Sequence, residues 1–389
     1  MNTELLKEAE NLNEDLITWR RTLHAMPELD LSLPMTSAYV REELTKMGIP
    51  FQTMVGGSCV VARLGQGEKC FLLRSDMDGL PFSEESGESF ASENGCMHAC
   101  GHDMHAAILL GAAKLLKAHE AELKGTVKLL FQPGEETFRG ARAAINEGLL
   151  ENPKVDAAFA MHVASVVPFG CIAYGPDPMA AVYSFRITLT GKGGHGSTPE
   201  ACIDPITAGV HVHLALQELI SRECSPSAEV ALTIGKFQAG SASNVIPETA
   251  VLEGTIRVFR PDVKEFIVKR LHEIVPAVAA AYRTTAQIQV LGDLPSVSCD
   301  DGLNDELVGY ISEIAPQMTL AKLYHVMGSE DFAFISDQIP SSYMGLGAAV
   351  DDTDTHYGQH NPKVRFNEKC LPVGAAVYAG VAMRWLAAH

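Results

Sequence analysis

The sequence predicts an α/β fold interrupted by a compact α+β unit, and three patterns carry that prediction. Short apolar runs alternate with helical stretches through the first part of the chain, the signature of a sheet covered by helices. From about Ala181 the order becomes strand, helix, strand, strand, helix, strand, a ferredoxin-like arrangement. Near Pro295 the earlier alternation resumes, so the compact unit is an insertion. At 389 residues the chain exceeds one ordinary domain, in keeping with two.

Helical spacing at Leu5, Ala9, Leu12 and Leu16 opens the chain as one helix, which Pro27 should stop. A second helix is expected over residues 36–47, closed by Gly48. Strands are expected over 58–64 and 69–74, the latter broken by Ser75-Asp76-Met77-Asp78-Gly79. Residues 106–116 have the apolar period of a helix. Residues 126–131 form a strand that ends at Gln132-Pro133-Gly134-Glu135-Glu136, and 155–160 another that ends at Met161-His162. In the insertion, strands are expected over 182–190, 229–237, 250–259 and 284–290, with helices over 204–222 and 262–282. Pro276 should kink the second of these or end it early. Beyond the insertion, Gly328-Ser329-Glu330-Asp331-Phe332 reads as a helix start with Ser329 as N-cap. Residues 342–346 read as a short strand, and Asn367 caps a final helix.

Composition narrows the partners. Hydrophobic residues make up 47% of the chain and charged ones 20%, as in globular proteins. A formal charge of −18 argues against nucleic acid or an anionic membrane, whose phosphates would repel it. No uninterrupted apolar run looks long enough to span a bilayer, and the acidic N-terminus lacks a signal peptide's apolar core. Nine scattered cysteines suit reduced thiols better than a disulfide framework, so a cytoplasmic location is expected.

The chemistry gathers at Met97-His98-Ala99-Cys100-Gly101-His102-Asp103-Met104-His105. Thiolate, imidazole and carboxylate are donors that zinc accepts, and manganese tolerates the harder ones. A buried cysteine among solvated histidines would be the simpler account of this stretch alone. Other stretches answer it, however. In α/β sheets the working residues gather beyond the carboxyl ends of strands. Asp76 and Asp78, Glu135 and Glu136, and His162 each follow a predicted strand. Adjacent glutamates point opposite ways on an extended segment, so one can ligate a cation while the other serves as general base. Asp76 and Asp78 straddle one residue, and one of them could orient a ligand imidazole. His356 and His360 form a late pair at i, i+4, and spacing does not choose between them.

In the insertion, Gly191-Lys192-Gly193-Gly194-His195-Gly196-Ser197 follows a strand. A phosphate loop needs lysine directly after its last glycine; Lys192 comes too early, which excludes nucleotide binding there. Asn244 lies in Ser243-Asn244-Val245-Ile246-Pro247, and Arg257 alternates with apolar Ile256 and Val258 on a strand. Arg257 should therefore face away from the core, either solvated or as a guanidinium fork for a carboxylate.

Taken in order, His98-Ala99-Cys100-Gly101-His102-Asp103, Gln132-Pro133-Gly134-Glu135-Glu136, Gly194-His195-Gly196-Ser197, Asn244-Val245-Ile246-Pro247, Gly328-Ser329-Glu330-Asp331-Phe332 and His360-Asn361-Pro362 resemble the amidohydrolase branch of the metal-dependent aminoacylase and carboxypeptidase family. Hippurate hydrolases, auxin-conjugate hydrolases and N-acetyl-diaminopimelate deacetylases are members of that branch. The resemblance implies a zinc-peptidase-like catalytic domain, a central mixed sheet flanked by helices, over 1–180 and 295–389. It implies a lid and dimerisation domain over 181–294, and a homodimer or higher homo-oligomer. It further implies two divalent metal ions, zinc or manganese, on Cys100, His102, Glu136, His162 and His360, with Glu135 as general base. His195 would reach the active site of the partner subunit and stabilise the oxyanion there, and Asn244 and Arg257 would bind the carboxylate of a small N-acyl amino acid. The chain departs from the family's frequent glycine-rich run after Glu136, carrying Thr137-Phe138-Arg139-Gly140 instead.

Overall fold

A computed structural model of the chain describes residues 2–352 and 356–389. Two compact units form, one from Met1–Pro178, Val297–His325 and Glu330–His389, the other from Met179–Ser296 and Val326–Ser329. The first unit opens with α1 (Asn2–Asn11), α2 (Asn13–His24) and α3 (Pro34–Lys46). The single opening helix read from the sequence is thus two, broken at Leu12. That residue lies between two asparagines, whose side chains compete for backbone hydrogen bonds and weaken a helix interior. The unit continues through β1 (Phe51–Met54), β2 (Cys59–Gly65), β3 (Cys70–Asp76), α4 (His102–Ala118), β4 (Thr126–Gln132), α5 (Gly140–Asn146), β5 (Ala157–Pro168) and β6 (Cys171–Ala173).

The second unit contains β7 (Ala181–Thr190), β8 (Gly194–His195), α6 (Pro205–Glu218), β9 (Val230–Ala239), β10 (Val245–Ile246), β11 (Thr249–Val258), α7 (Pro261–Ala281) and β12 (Thr285–Leu294). The chain then returns to the first unit with α8 (Asp301–Ile314), β13 (Thr319–Ala321), α9 (Ala333–Ser336), β14 (Ser341–Ala349) and α10 (Cys370–Ala388).

The first unit is built on an eight-stranded mixed sheet in the order β1-β2-β4-β3-β5-β14-β6-β13. Its middle strands β4, β3, β5 and β14 run parallel, and each is almost wholly buried, as two-sided coverage requires. Register sets the level of the chemistry. Asp76 pairs with Gln132, Arg74 with Ala160, and His162 with Gly345. One row across the sheet therefore carries Gln132, Asp76, His162 and Gly345. The sequence placed His162 just past a strand; it lies inside β5, which runs on to Pro168. The row is still the working one, because β3 and β4 end there.

Helix α4 packs against α2 and α10 and lies on β3, β4 and β5. Leu109, Leu110 and Leu116 on it are fully buried, each contributing about 1.5–3 kcal/mol of transfer free energy. Helix α10 is long and apolar enough to cross a bilayer by length and composition, which the sequence reading overlooked; 83% of that window is buried inside the protein. It is a core helix whose Gly374 sits against Ile108 of α4.

The second unit is a four-stranded antiparallel sheet, β12-β7-β11-β9, covered by α6 and α7. Phe185, Ile187, Leu252, Ile256, Leu216 and Leu271 fill its core. This is the ferredoxin-like unit. Strands β8 and β10 form a separate two-residue ribbon. Helix α7 does not end at Pro276 but runs to Ala281. The buried side chains of Val275 and Ala279 hold the helix to the sheet on either side of it, offsetting the roughly 3 kcal/mol that an interior proline costs. Ser329 caps no helix; α9 begins at Ala333, and the Ser329 hydroxyl accepts a hydrogen bond from Arg257.

Candidate metal centre

The centre forms where the row of strand ends meets the start of α4. Gly101 precedes that helix at φ 89°, and a Cβ there would fall 2.5 Å from Val163 Cγ2. Only glycine turns the chain so tightly beside β5. The turn presents Cys100 and His102, and α4 starts at His102 itself. Cys100 Sγ lies 3.4 Å from His162 Nε2. His360 arrives on a late loop whose backbone N–H donates to the Ala99 carbonyl at 3.1 Å. At φ 65°, His360 holds a conformation that costs a non-glycine residue about 1 kcal/mol or more, strain of a kind found at functional sites. Its Nε2 lies 3.3 Å from Glu136 Oε1.

The donor atoms of Cys100, His102 and His162 fall within 4.8 Å of one another, and so do those of Cys100, Glu136 and His360. The two sets share the sulfur, which puts it between two positions where a cation could be held. His102, Glu135 and Glu136 form a third such group. Both ring nitrogens of His102 and Oε1 of Glu136 are buried with no hydrogen-bond partner. These orphaned imidazole and carboxylate atoms, with the sulfur of Cys100 beside them, fit a borderline-soft divalent ion.

The surroundings fix these groups. Asp78 accepts from the backbone N–H of Glu135 at 3.0 Å and of Glu136 at 3.1 Å, so it holds the glutamate loop. Asp76 lies 2.5 Å from His105 Nδ1, and His105 Nε2 accepts from the Val163 N–H. The aspartates flank His102 at 3.5 and 3.6 Å, one beside each ring nitrogen, too far for a good hydrogen bond. The ring that Asp76 grips is that of His105.

Behind Glu135 lies a buried polar cluster that the sequence reading missed. Arg74, 2% exposed, donates to Asp76 at 2.8 Å, Glu330 at 2.7 Å, Asp331 at 3.0 Å and Gln132 at 3.1 Å. Tyr343 donates to Glu330, and Gln132 to Asp331. The available signal was a lone arginine at the end of the otherwise apolar run Cys70-Phe71-Leu72-Leu73. Burial, reinforced by Glu330, Glu136 and Asp331, pushes the Glu135 carboxyl well above its usual range. Burial and Glu330 likewise push Asp331 up to about 8 despite Arg74. Burial would also raise Glu136, but His360 and His102 outweigh it and draw that carboxyl down. Cys100 and Glu136 lift His360 to about 10. Carboxylates thus crowd the centre beyond what Arg74 offsets, the field that a cation answers.

The neighbour of His102, Asp103, points elsewhere. It accepts from Arg20 Nε and bonds His24 Nδ1, both at 2.8 Å, while His24 Nε2 meets Glu84 at 3.0 Å. This clamps α2 to the first turn of α4. Burial would lower the His24 pKa, but Asp103 and Glu84 raise it to about 9, from an ordinary value near 6.5. A raised folded-state pKa stabilises fully below about 6.5, and the stabilisation is lost as pH climbs through about 9. His24→Gln should therefore lower stability by on the order of 3 kcal/mol at pH 6, with the gap to the parent protein narrowing by pH 10. Urea midpoints at both pH values test this, and an equal gap at both would refute it.

Of the residues predicted in the insertion, His195 and Asn244 come together. Their ribbon pairs His195 with Val245, and the Gly196 N–H donates to the Asn244 carbonyl at 2.8 Å. His195 is exposed, and its Nδ1 accepts from the Ser197 N–H at 3.1 Å. That bond leaves Nε2 as the N–H donor of the neutral ring. Arg257, half-buried on β11, donates to the Met327 carbonyl at 2.8 Å and to Ser329. His356 bonds the Val350 carbonyl and belongs to none of the donor groups.

Comparison with known proteins agrees with this geometry. Residues 72–384 match Peptidase family M20/M25/M40. The chain is 36% identical to IAA-amino acid hydrolase ILR1-like 2 of Arabidopsis thaliana, over 99% of this chain and 89% of that protein. It is 35% identical to the N-acetyl-L-cysteine deacetylase of Bacillus subtilis, over 92% and 85%. Among solved structures it resembles the YXEP protein of Bacillus subtilis, a dinuclear metal binding peptidase, with a TM-score of 0.82 and 30% identity over 97% and 99% of the two chains. A donor-rich centre at the strand ends and relatives matched along nearly the whole chain lead to one assignment: the protein is a metal-dependent amidohydrolase and belongs to peptidase family M20/M25/M40.

Proposed function

We propose that the protein hydrolyses the amide bond of N-acyl amino acids, hippurate-like or N-acetylated, to a carboxylic acid and a free amino acid. The observation that carries this reading is the pair of donor sets sharing Cys100, with Glu135 beside them. Relatives named for cleaving an auxin–amino acid conjugate and N-acetyl-L-cysteine support the substrate class. Cys100, His102, Glu136, His162 and His360 would hold two divalent cations, zinc in preference to manganese given the sulfur. Such ions polarise an amide carbonyl and ease deprotonation of water. Glu135 accepts the proton of the attacking water and delivers it to the leaving nitrogen as the C–N bond breaks. His195 donates Nε2–H to the developing oxyanion, and Asn244 and Arg257 bind the substrate's carboxylate.

In this reading the inserted unit also joins two copies of the chain. Exposed Val210, Leu214, Phe237 and Val245 support that. All nine cysteines are free, which suits the cytoplasm. Likeness to a solved peptidase keeps a second reading, a dipeptidase or carboxypeptidase on the same centre. The deciding experiment assays hippurate, N-acetyl amino acids and dipeptides side by side, before and after chelation, with zinc or manganese restored. N-acyl substrates should turn over fastest, chelation should remove at least 95% of the activity (~20-fold or more), and metal should return it. Faster cleavage of dipeptides with free amines would favour the second reading.

A further inference from the structure

Tyr324 lies on the segment after β13, anchored by its N–H to the Tyr174 carbonyl at 3.0 Å. Its ring lies over Gly345 of β14; a Cβ on that glycine would fall 3.3 Å from Tyr324 Cε1 and Cζ. On its other neighbour, Tyr343, it stacks at 6.1 Å between centroids and 14° between planes. Gly345 is the register partner of His162, and Tyr343 bonds Glu330, in the cluster behind Glu135. The ring is therefore held at the level of the donor sets, on a bare glycine that leaves room for it.

The hydroxyl has no hydrogen-bond partner among the described residues, and it is not among the polar atoms sealed from solvent. Two neighbouring tyrosine hydroxyls are already used: Tyr343 bonds Glu330, and Tyr378 bonds the Arg74 carbonyl. Burial, then Glu330 and Cys100, keep the phenol protonated, so what it offers is a donor. Carboxylates already crowd the site, and a free donor there is matched by an oxygen that gains negative charge during reaction.

We propose that Tyr324 is a further catalytic residue, its Oη–H hydrogen-bonding the amide oxygen of the substrate as that oxygen becomes an oxyanion. This rests on the N-acyl amino acid reading above. A donor used only in the transition state lowers kcat when removed and leaves KM nearly unchanged.

The test compares the wild-type protein, Tyr324→Phe and Tyr324→Leu on whichever N-acyl amino acid the wild type cleaves best, with metal content measured for each. Phenylalanine keeps the ring on Gly345 and removes the hydroxyl alone. The expected result for Tyr324→Phe is a fall in kcat of about 100-fold, KM within about threefold (~0.65 kcal/mol), and metal content equal to the wild type. A kcat fall of less than tenfold (~1.4 kcal/mol), a change confined to KM, or loss of metal from the phenylalanine variant would overturn the proposal. Loss of kcat in Tyr324→Leu alone would overturn it too, assigning the residue to packing. A wild-type protein inactive on every N-acyl substrate would instead sink the parent reading, and this one with it.

Discussion

Glu135→Gln should abolish turnover, with kcat falling by about 10²–10⁴-fold, while metal content stays near that of the wild-type protein. The glutamine side chain matches glutamate in shape, and its backbone N–H keeps the bond to Asp78. What it loses is the ability to take a proton. Glu135 is 5% exposed and surrounded by Glu136, Glu330 and Asp331, so its proton affinity is raised, as suits the base proposed above. Elemental analysis beside steady-state kinetics checks both halves. Most of the activity surviving would move the base elsewhere; metal loss would make Glu135 a ligand.

The second large effect is on stability. Arg74→Met should cost about 3–5 kcal/mol, because it leaves Asp76, Glu330 and Asp331 buried without their guanidinium. Methionine fills much of the same volume, so lost packing is a minor part. Each carboxylate keeps some partner: His105 for Asp76, Tyr343 for Glu330, Gln132 and the Ala141 N–H for Asp331. Those neutral bonds do not balance the negative charge left buried. Urea unfolding followed by circular dichroism at pH 7 measures the change, and a cost under about 1 kcal/mol would show that the carboxylates share protons without needing Arg74.

Much of this was legible in the chain. Alternation of apolar runs and helices gave the sheet and its insertion, and post-strand acids marked the edge where chemistry collects. The ordered motifs then pointed to Cys100, His102, Glu136 and His360, with His162 added by its position after a strand, and the fold gathers their donor atoms into two sets that share Cys100. Local rules failed where tertiary partners decide. Pro276 is a helix breaker by itself, yet packing on both sides carries α7 through it. Ser329-Glu330-Asp331 has the pattern of a cap, yet Arg74, far away in sequence, claims the acids. Nothing near Tyr324 in sequence indicates that a glycine on β14 would make a seat for its ring.

The tie between the His360 N–H and the Ala99 carbonyl has a bearing on how the protein is made. A polypeptide leaving the ribosome displays Cys100 long before His360 emerges, with the whole ferredoxin-like unit synthesised in between. A nascent chain without His360, one of the proposed ligands, would grip an ion only loosely, so hydrolysis should wait until that last residue has joined Cys100.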